Sequence, residues 1–492
     1  MKINKNHYLN FILFLAVSAY LLFIIHSSID FFNKENISSK DILFNGEVIE
    51  WLKSSITFAG RFIPFSNTFN LLLFNLTDNL KYFVGLKLFL ILFNFLILKK
   101  IFDYLNIRKY FAFAIIIICY NHSFLNGQYI TTSEGDISLL ITILFYLDLK
   151  RSDREIKKYE YFLTIFLMIF LLGIKESMFG FFIIYTFLKI FFYKNENLLI
   201  KFIYLIILIS YTYFYYNFTF INIDKNNIYG VKNDEVSILF NIPKILLNYI
   251  VTFPFTFFLI IFILKNFIKN LSFKKKTFSI GEIYFISILG YFAVYISLNL
   301  FGFRYVLPSL FILVPLFFAI YAKATKKKKI ITLCVLIFIF GPGYSNTIEL
   351  FNNFKSKEYN TKLNIKLQSL QTEKNVAIIY NHEDKQYLLK KQKHDQNDLG
   401  NLLTHFENKK DLKINLFYIN DQNINTEFLS NNLIIFLIKK DLQLQNKIEN
   451  LFDTQTYDKF LFKRTCGEPS LIKTFFKRKN CNEITATLYL RK

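Results

Sequence analysis

Glycine, proline and cysteine are all scarce in this chain of 492 residues, which holds 15 Gly, 7 Pro and 4 Cys. So few glycines argue against a nucleotide-cradling glycine loop anywhere in the chain, and no such motif is visible. So few prolines leave no proline-rich linker, and no internal repeat breaks the sequence into modules. The 6 histidines lack metal-ligand spacing, and His382, His394 and His405 read as surface residues of the tail. Acidic residues are the minority charge, 36 against 59 Lys and Arg, for a formal net charge of +23. On one soluble face that excess would point to nucleic acid. Here the lysines sit in short clusters between apolar blocks, a pattern of membrane topology that speaks against a nucleic-acid partner.

What is abundant is apolar surface: 53% of residues are hydrophobic and 19% aromatic, with 62 Phe. They arrive in long blocks rather than at amphipathic spacing, and lipid is the simplest solvent for them. Apolar runs cover roughly residues 8 to 29, 83 to 98, 110 to 120, 137 to 147, 161 to 174, 177 to 192, 202 to 221, 245 to 264, 283 to 300, 305 to 322 and 330 to 345. The expected fold is therefore a polytopic α-helical membrane protein of about eleven transmembrane helices. The third and fourth runs are the weakest, and if both were re-entrant the later spans would keep their orientation. Lys87 and Lys189 fall inside runs, each near one end, where a long side chain is expected to snorkel to water. The first run has no small-residue cleavage site after it and reads as a retained span.

Alternate connections divide the basic residues. One side receives Lys2, Lys5, Lys99, Lys100, Arg108, Lys109, Lys150, Arg151, Lys157, Lys158 and the Lys326 to Lys329 run; the other is longer in total yet sparse in Lys and Arg. The positive-inside rule makes the first side cytoplasmic. The expected location is the inner (plasma) membrane, with the N-terminus cytoplasmic. The loop 30–82 and everything after about residue 346 are then extracytoplasmic.

Residues 1–345 form the membrane domain in this reading, and 346–492 a small soluble α/β domain. In that tail Asn, Lys, Asp and Gln replace the Phe and Ile blocks, with β-rich runs at Val376 to Tyr380, Ile414 to Ile419, Leu433 to Ile438 and Thr485 to Leu490. Helix-like stretches lie near 355–372 and 440–452. Cys119 and Cys334 sit in apolar blocks and read as small hydrophobes. Cys466 and Cys481 lie in the tail at a separation suited to closing a small loop, a disulfide candidate that would need an oxidising compartment.

Charges beside apolar spans are costly, so their positions inform. On the outer side they are Asp30 at the exit of the first span, Arg61 in Gly60-Arg61-Phe62-Ile63-Pro64, Glu134 and Asp136 before the fourth span, Lys175-Glu176 between the fifth and sixth, and Arg304 before the tenth. All share about one membrane depth and are expected to converge. Structural readings stand beside this one: Asp30 as a span end, Arg61 snorkelling from an interfacial helix, Glu134 and Asp136 supporting a helix start, Lys175-Glu176 as a hairpin. Carboxylates with cations suit transfer of a sugar from a polyprenyl phosphate. A carboxylate takes the acceptor's proton, and cations hold the departing phosphate.

In this organisation the chain resembles the GT-C superfamily of integral-membrane glycosyltransferases. The resemblance implies a polyprenyl-phosphate-sugar donor and a glycan, lipid or protein acceptor. It implies Asp30 as the catalytic carboxylate, with Glu35 and Asp41 as alternatives because no acid directly follows Asp30. Arg61, Lys175 and Arg304 would bind the donor phosphate, and Glu134, Asp136 and Glu176 the substrates. Some members use a divalent cation held by carboxylates, and nothing in this sequence demands one. The competing classes are an O-antigen-type polymerase or ligase, which uses outer-loop arginines, and a transporter or flippase of lipid-linked glycans.

Overall fold

The computed structural model describes residues 63–65, 80–119, 133–152, 157–193, 196–217, 254–270, 277–297 and 303–340, together with five strands between 375 and 491. Asp30, Glu35, Asp41, Arg61, Cys466, Cys481, the first apolar run and the two helix-like stretches of the tail lie outside the described residues. The described helices fall in one compact unit, within 40–341, and the strands in a second, within 342–492.

In the helical unit, α1 is Leu80–Tyr104, α2 Phe111–Cys119, α3 Ser133–Ser152, α4 Lys158–Ile174, α5 Ser177–Phe192, α6 Leu198–Tyr215, α7 Pro254–Asn270, α8 Ile280–Ser297, α9 Leu307–Lys323 and α10 Lys326–Phe340. Local chemistry sets several ends. Asn106 turns the chain after α1 at φ 56°, a left-handed conformation its short polar side chain tolerates. Glu134 and Asp136 in the first turn of α3, with Lys150 and Arg151 in its last, complement the helix dipole. Asn197 caps α6 by accepting from the Leu199 N–H at 2.9 Å. Ser279 and Glu282 form a reciprocal pair at the start of α8, at 2.7 Å and 3.4 Å.

Apolar faces then assemble the bundle. Helix α3 packs between α1, α4 and α9, and α9 is buried from Leu307 through Phe318. Helices α5 and α8 cross at Gly180 and Gly290, where a Cβ on either glycine would meet the other's carbonyl oxygen. Small residues at such a crossing let two backbones approach closely, as membrane helices commonly require.

Apolar side chains fill the core of the unit and also cover much of its outside. Phe162 is 73% exposed and Leu198 82%, while Lys87, Glu134, Asp148, Arg151 and Lys189 are buried. Apolar side chains turned outward around buried ionic groups fit a lipid surround. Among the described residues one helix, α6, is long and apolar enough to cross a bilayer unaided, with mean hydropathy 1.8; α5, α7, α8 and α9 are shorter apolar helices. Helix α3 has 20 residues, about 30 Å of rise, although its apolar run covers little more than half of that. Helix α2 has 9 residues, about 13 Å.

Lys87 and Lys189 do not snorkel as the sequence led us to expect. Lys87 donates to Asp136 at 2.7 Å, and Lys189 to Asp148 at 3.1 Å and Glu196 at 3.0 Å. An ammonium that meets carboxylates inside the bundle has no need of the interface. Cys119 is buried as expected, whereas Cys334 lies on an exposed face of α10.

The second unit is a sheet with strand order β2-β1-β3-β5-β4, where β1 is Asn375–Tyr380, β2 Lys413–Tyr418, β3 Leu433–Ile438, β4 Tyr457–Arg464 and β5 Ile484–Arg491. Strands β1, β2 and β3 run parallel, with β5 antiparallel to both β3 and β4. Four of these strands occupy the β-rich runs read from sequence. The fifth, β4, was not foreseen.

Candidate active site

Helices α3, α4, α5, α8 and α9 bring one set of ends together. The first turn of α3 supplies Glu134 and Asp136, and the break between α4 and α5 supplies Lys175 in extended conformation. Lys175 pairs with Glu134, and Lys87 from α1 pairs with Asp136 at 2.7 Å. Of these four side chains Lys175 is the most open, at 15%, against 1% for Glu134, 3% for Lys87 and 7% for Asp136. Two carboxylates two positions apart on one helix thus each hold a lysine from a different element.

Aromatic groups floor the Lys175 side. Its ammonium lies 4.9 Å from the Tyr305 ring centroid, and Tyr305 stacks on Tyr295 at 4.2 Å. The Tyr295 hydroxyl shares a 2.9 Å hydrogen bond with Ser177. Arg304 belongs to the same short 3-10 turn as Tyr305, Phe303–Val306. Glu176 stands at the start of α5, where its carbonyl accepts from the Phe179 N–H at 2.9 Å.

The long loop before α1 touches this region through its described piece, Ile63–Phe65. The Phe65 N–H donates to the Gly173 carbonyl at 2.9 Å, and the Phe65 ring stacks on Phe170 at 4.8 Å. A side chain at Gly173 would meet that ring. Gly173 therefore admits the loop two residues from Lys175, and the described end of the Gly-Arg-Phe-Ile-Pro segment sits against the α4 end that carries the lysine. Of the expected site residues, Glu134, Asp136, Lys175 and the Arg304 turn come together. Among the described residues no three His, Cys, Asp or Glu side chains group as a metal site.

Comparison with known proteins gives one structural likeness. The chain is similar to the crystal structure of ArnT from Cupriavidus metallidurans bound to undecaprenyl phosphate, over 96% of this chain and 97% of that one, at 8% identity and a TM-score of 0.43. No protein-family profile and no curated protein matches the chain.

Three site features escaped the sequence reading. Lys87 was taken for a snorkelling residue, although a lysine within an apolar run is itself a signal of an intramembrane partner. Gly173, directly before the Ile174-Lys175-Glu176 break, had no pattern to single it out. Tyr295 and Tyr305 were hidden among 31 tyrosines.

A second ionic cluster occupies the other end of the same helices. Asp148, fully buried near the end of α3, accepts from the hydroxyls of Tyr185 at 2.7 Å and Tyr284 at 2.9 Å, from Lys189 at 3.1 Å and from Arg151 at 3.3 Å. Arg151 also donates to the Glu160 carbonyl at 2.6 Å. Asp148 thereby joins α3, α5 and α8. Most of the described basic residues of the bundle gather at this end: Lys99, Lys100, Arg108, Lys109, Lys150, Lys157, Lys158, Lys201, Lys323 and Lys326 to Lys329 follow or precede the helix termini there.

Proposed function

We propose that the protein is a membrane glycosyltransferase. It moves a sugar from a polyprenyl-phosphate donor to a hydroxyl of a glycan, lipid or protein acceptor at the Glu134–Lys175 end of the bundle. The observation that carries this reading is the pairing of Lys175 and Lys87 with two carboxylates of one helix turn, beside the turn that holds Arg304. The described basic residues crowd the opposite end. The positive-inside rule then makes the paired end extracytoplasmic, with about eleven spans in all, the N-terminus in the cytoplasm and the tail domain outside.

In the reaction a carboxylate takes the proton of the acceptor hydroxyl as that oxygen attacks the anomeric carbon. The bond from that carbon to the phosphate oxygen breaks with its electron pair, and polyprenyl phosphate leaves. Lys175, Arg304 and Arg61 hold the phosphate and offset the charge it gains. Asp30 is the leading base, with Glu35 and Asp41 as alternates, and Glu134, Asp136 and Glu176 orient the substrates. An apolar lipid tail lies along the outward faces of the helices while its headgroup reaches the ionic end.

Asp30→Asn and Arg304→Ala should each abolish glycan modification at unchanged protein level, read by comparing surface glycans by mass. Wild-type glycans from both variants would end the proposal. A phosphatase fused after residue 350 should be active, and an inactive fusion at normal expression would reverse the orientation.

The buried Asp148 cluster favours a second reading, a carrier of lipid-linked glycans, because ionisable groups inside membrane helices often line transport paths. Asp148 already receives four donors, so it serves packing first. Movement of a labelled lipid-linked sugar across vesicles holding the purified protein would restore the carrier reading.

A further inference from the structure

We propose that Lys175 is an exchanging cation: it neutralises Glu134 while the site is empty and transfers to the phosphate of the donor when that arrives. This deepens the proposed function and rests on it.

The contrast between the two lysine–carboxylate pairs carries the inference. Lys87 and Asp136 are both nearly sealed, at 3% and 7%. Lys175 keeps 15% of its side chain open while Glu134 keeps 1%, so the cation is the reachable member of its pair and the carboxylate the covered one. Lys175 also springs from an extended, non-helical residue between α4 and α5, not from a helix face. Its four-carbon stem can swing without displacing either helix. The Tyr305 ring, 4.9 Å away, offers the ammonium a second favourable neighbour along that swing.

A phosphate oxygen competes well for that ammonium. It is an anionic acceptor like the carboxylate but brings more charge, and Arg304 lies in the turn that carries Tyr305. The Ser133 hydroxyl, 3.5 Å from Glu134 Oε2, stays with the carboxylate when Lys175 turns to the phosphate.

The test is the affinity of the full-length protein, purified into lipid nanodiscs, for undecaprenyl phosphate, with inorganic phosphate and uncharged undecaprenol as parallel probes. Glu134 competes with phosphate for Lys175 in the resting protein, so Glu134→Gln should tighten undecaprenyl phosphate binding about tenfold. Lys175→Gln should weaken it about tenfold, and the double variant should match Lys175→Gln. Glu134→Asp, which keeps the charge but shortens its reach, should fall between wild type and Glu134→Gln and covers the case in which the glutamine variant does not fold. Unchanged or weaker binding by both Glu134 variants overturns the exchange while leaving the glycosyltransferase reading intact. Absence of saturable undecaprenyl phosphate binding to the wild type overturns both. Tightening with inorganic phosphate as well assigns the effect to the headgroup, as the exchange requires. Equal tightening with undecaprenol would place it in the lipid tail and overturn the exchange.

Discussion

The two ends of the helical bundle use the same residue types for opposite purposes. At one end Lys175 and Glu134 form a pair whose cation remains partly open. At the other, Lys189, Asp148 and Glu196 are sealed, and Asp148 takes hydrogen bonds from three helices, α3 through Arg151, α5 through Tyr185 and Lys189, and α8 through Tyr284. A buried ionic cluster fixes one arrangement of helices, because any slip strands a charge in apolar surroundings. The end with a partly open cation is the one to which the proposed function assigns the donor. Rigidity at the sealed end thus holds α3, α5 and α8 in register, and those helices present Glu134, the Lys175 break and Tyr295 at the open one.

Breaking the sealed end should have the largest effect. Asp148→Leu leaves Lys189 and Arg151 without their shared anion and removes the acceptor for two tyrosine hydroxyls. Removing one partner of a buried ionic network costs roughly 3–5 kcal/mol, enough to lose most folded protein. The measurement is thermal unfolding in detergent beside membrane-inserted yield. Lys175→Gln, read in the same assay, should lose clearly less than Asp148→Leu, because one pair is removed there and its ammonium is 15% exposed. If the two variants lost equal stability, the distinction between the ends would fall.

How much of this was legible in the sequence depends on whether a residue's signal lies in its own neighbourhood. The helices were legible as apolar runs, and β1, β2, β3 and β5 as β-rich stretches. Strand β4, Tyr457–Arg464, was not, because Asp458, Lys459, Lys463 and Arg464 dilute its apolar signal. It pairs with β5 alone, at the sheet's edge, where charged residues are tolerated. Glu134, Asp136 and Lys175 were legible because a charge beside an apolar run stands out. The Asp148 cluster was not. The apolar run stops at residue 147, just before Asp148, yet α3 continues to Ser152 with that carboxylate buried. Its main partners lie 41 positions away at Lys189 and 136 away at Tyr284, distances no local pattern spans.

A smaller effect should sharpen the comparison from the open side. Gly173→Val places a branched side chain where the Phe65 ring and the Tyr211 hydroxyl lie. The Phe65 N–H to Gly173 carbonyl bond and the stack on Phe170 should both be lost, a cost of about 1 kcal/mol that leaves the protein folded. Glycan modification should fall at least tenfold, because the loop carrying Arg61 is no longer held beside Lys175. Normal glycans in a folded Gly173→Val protein would show that the loop's docking is not needed at the open end.

The smallest effect belongs to the rim of the basic end. Arg108 meets Asp103 at 3.4 Å, but their side chains are 50% and 42% exposed, so water screens the pair. Arg108→Gln should change the unfolding midpoint by the equivalent of less than about 0.5 kcal/mol and leave glycans unaltered. In the proposed orientation that charge is one among many at the cytoplasmic end, so its loss should not invert the chain. Rim charges of the basic end would then set orientation collectively while Asp148 and its partners set the packing. A loss above about 1 kcal/mol in Arg108→Gln would instead mean that the sealed network extends to this rim, and that stability and orientation at the basic end are not separable.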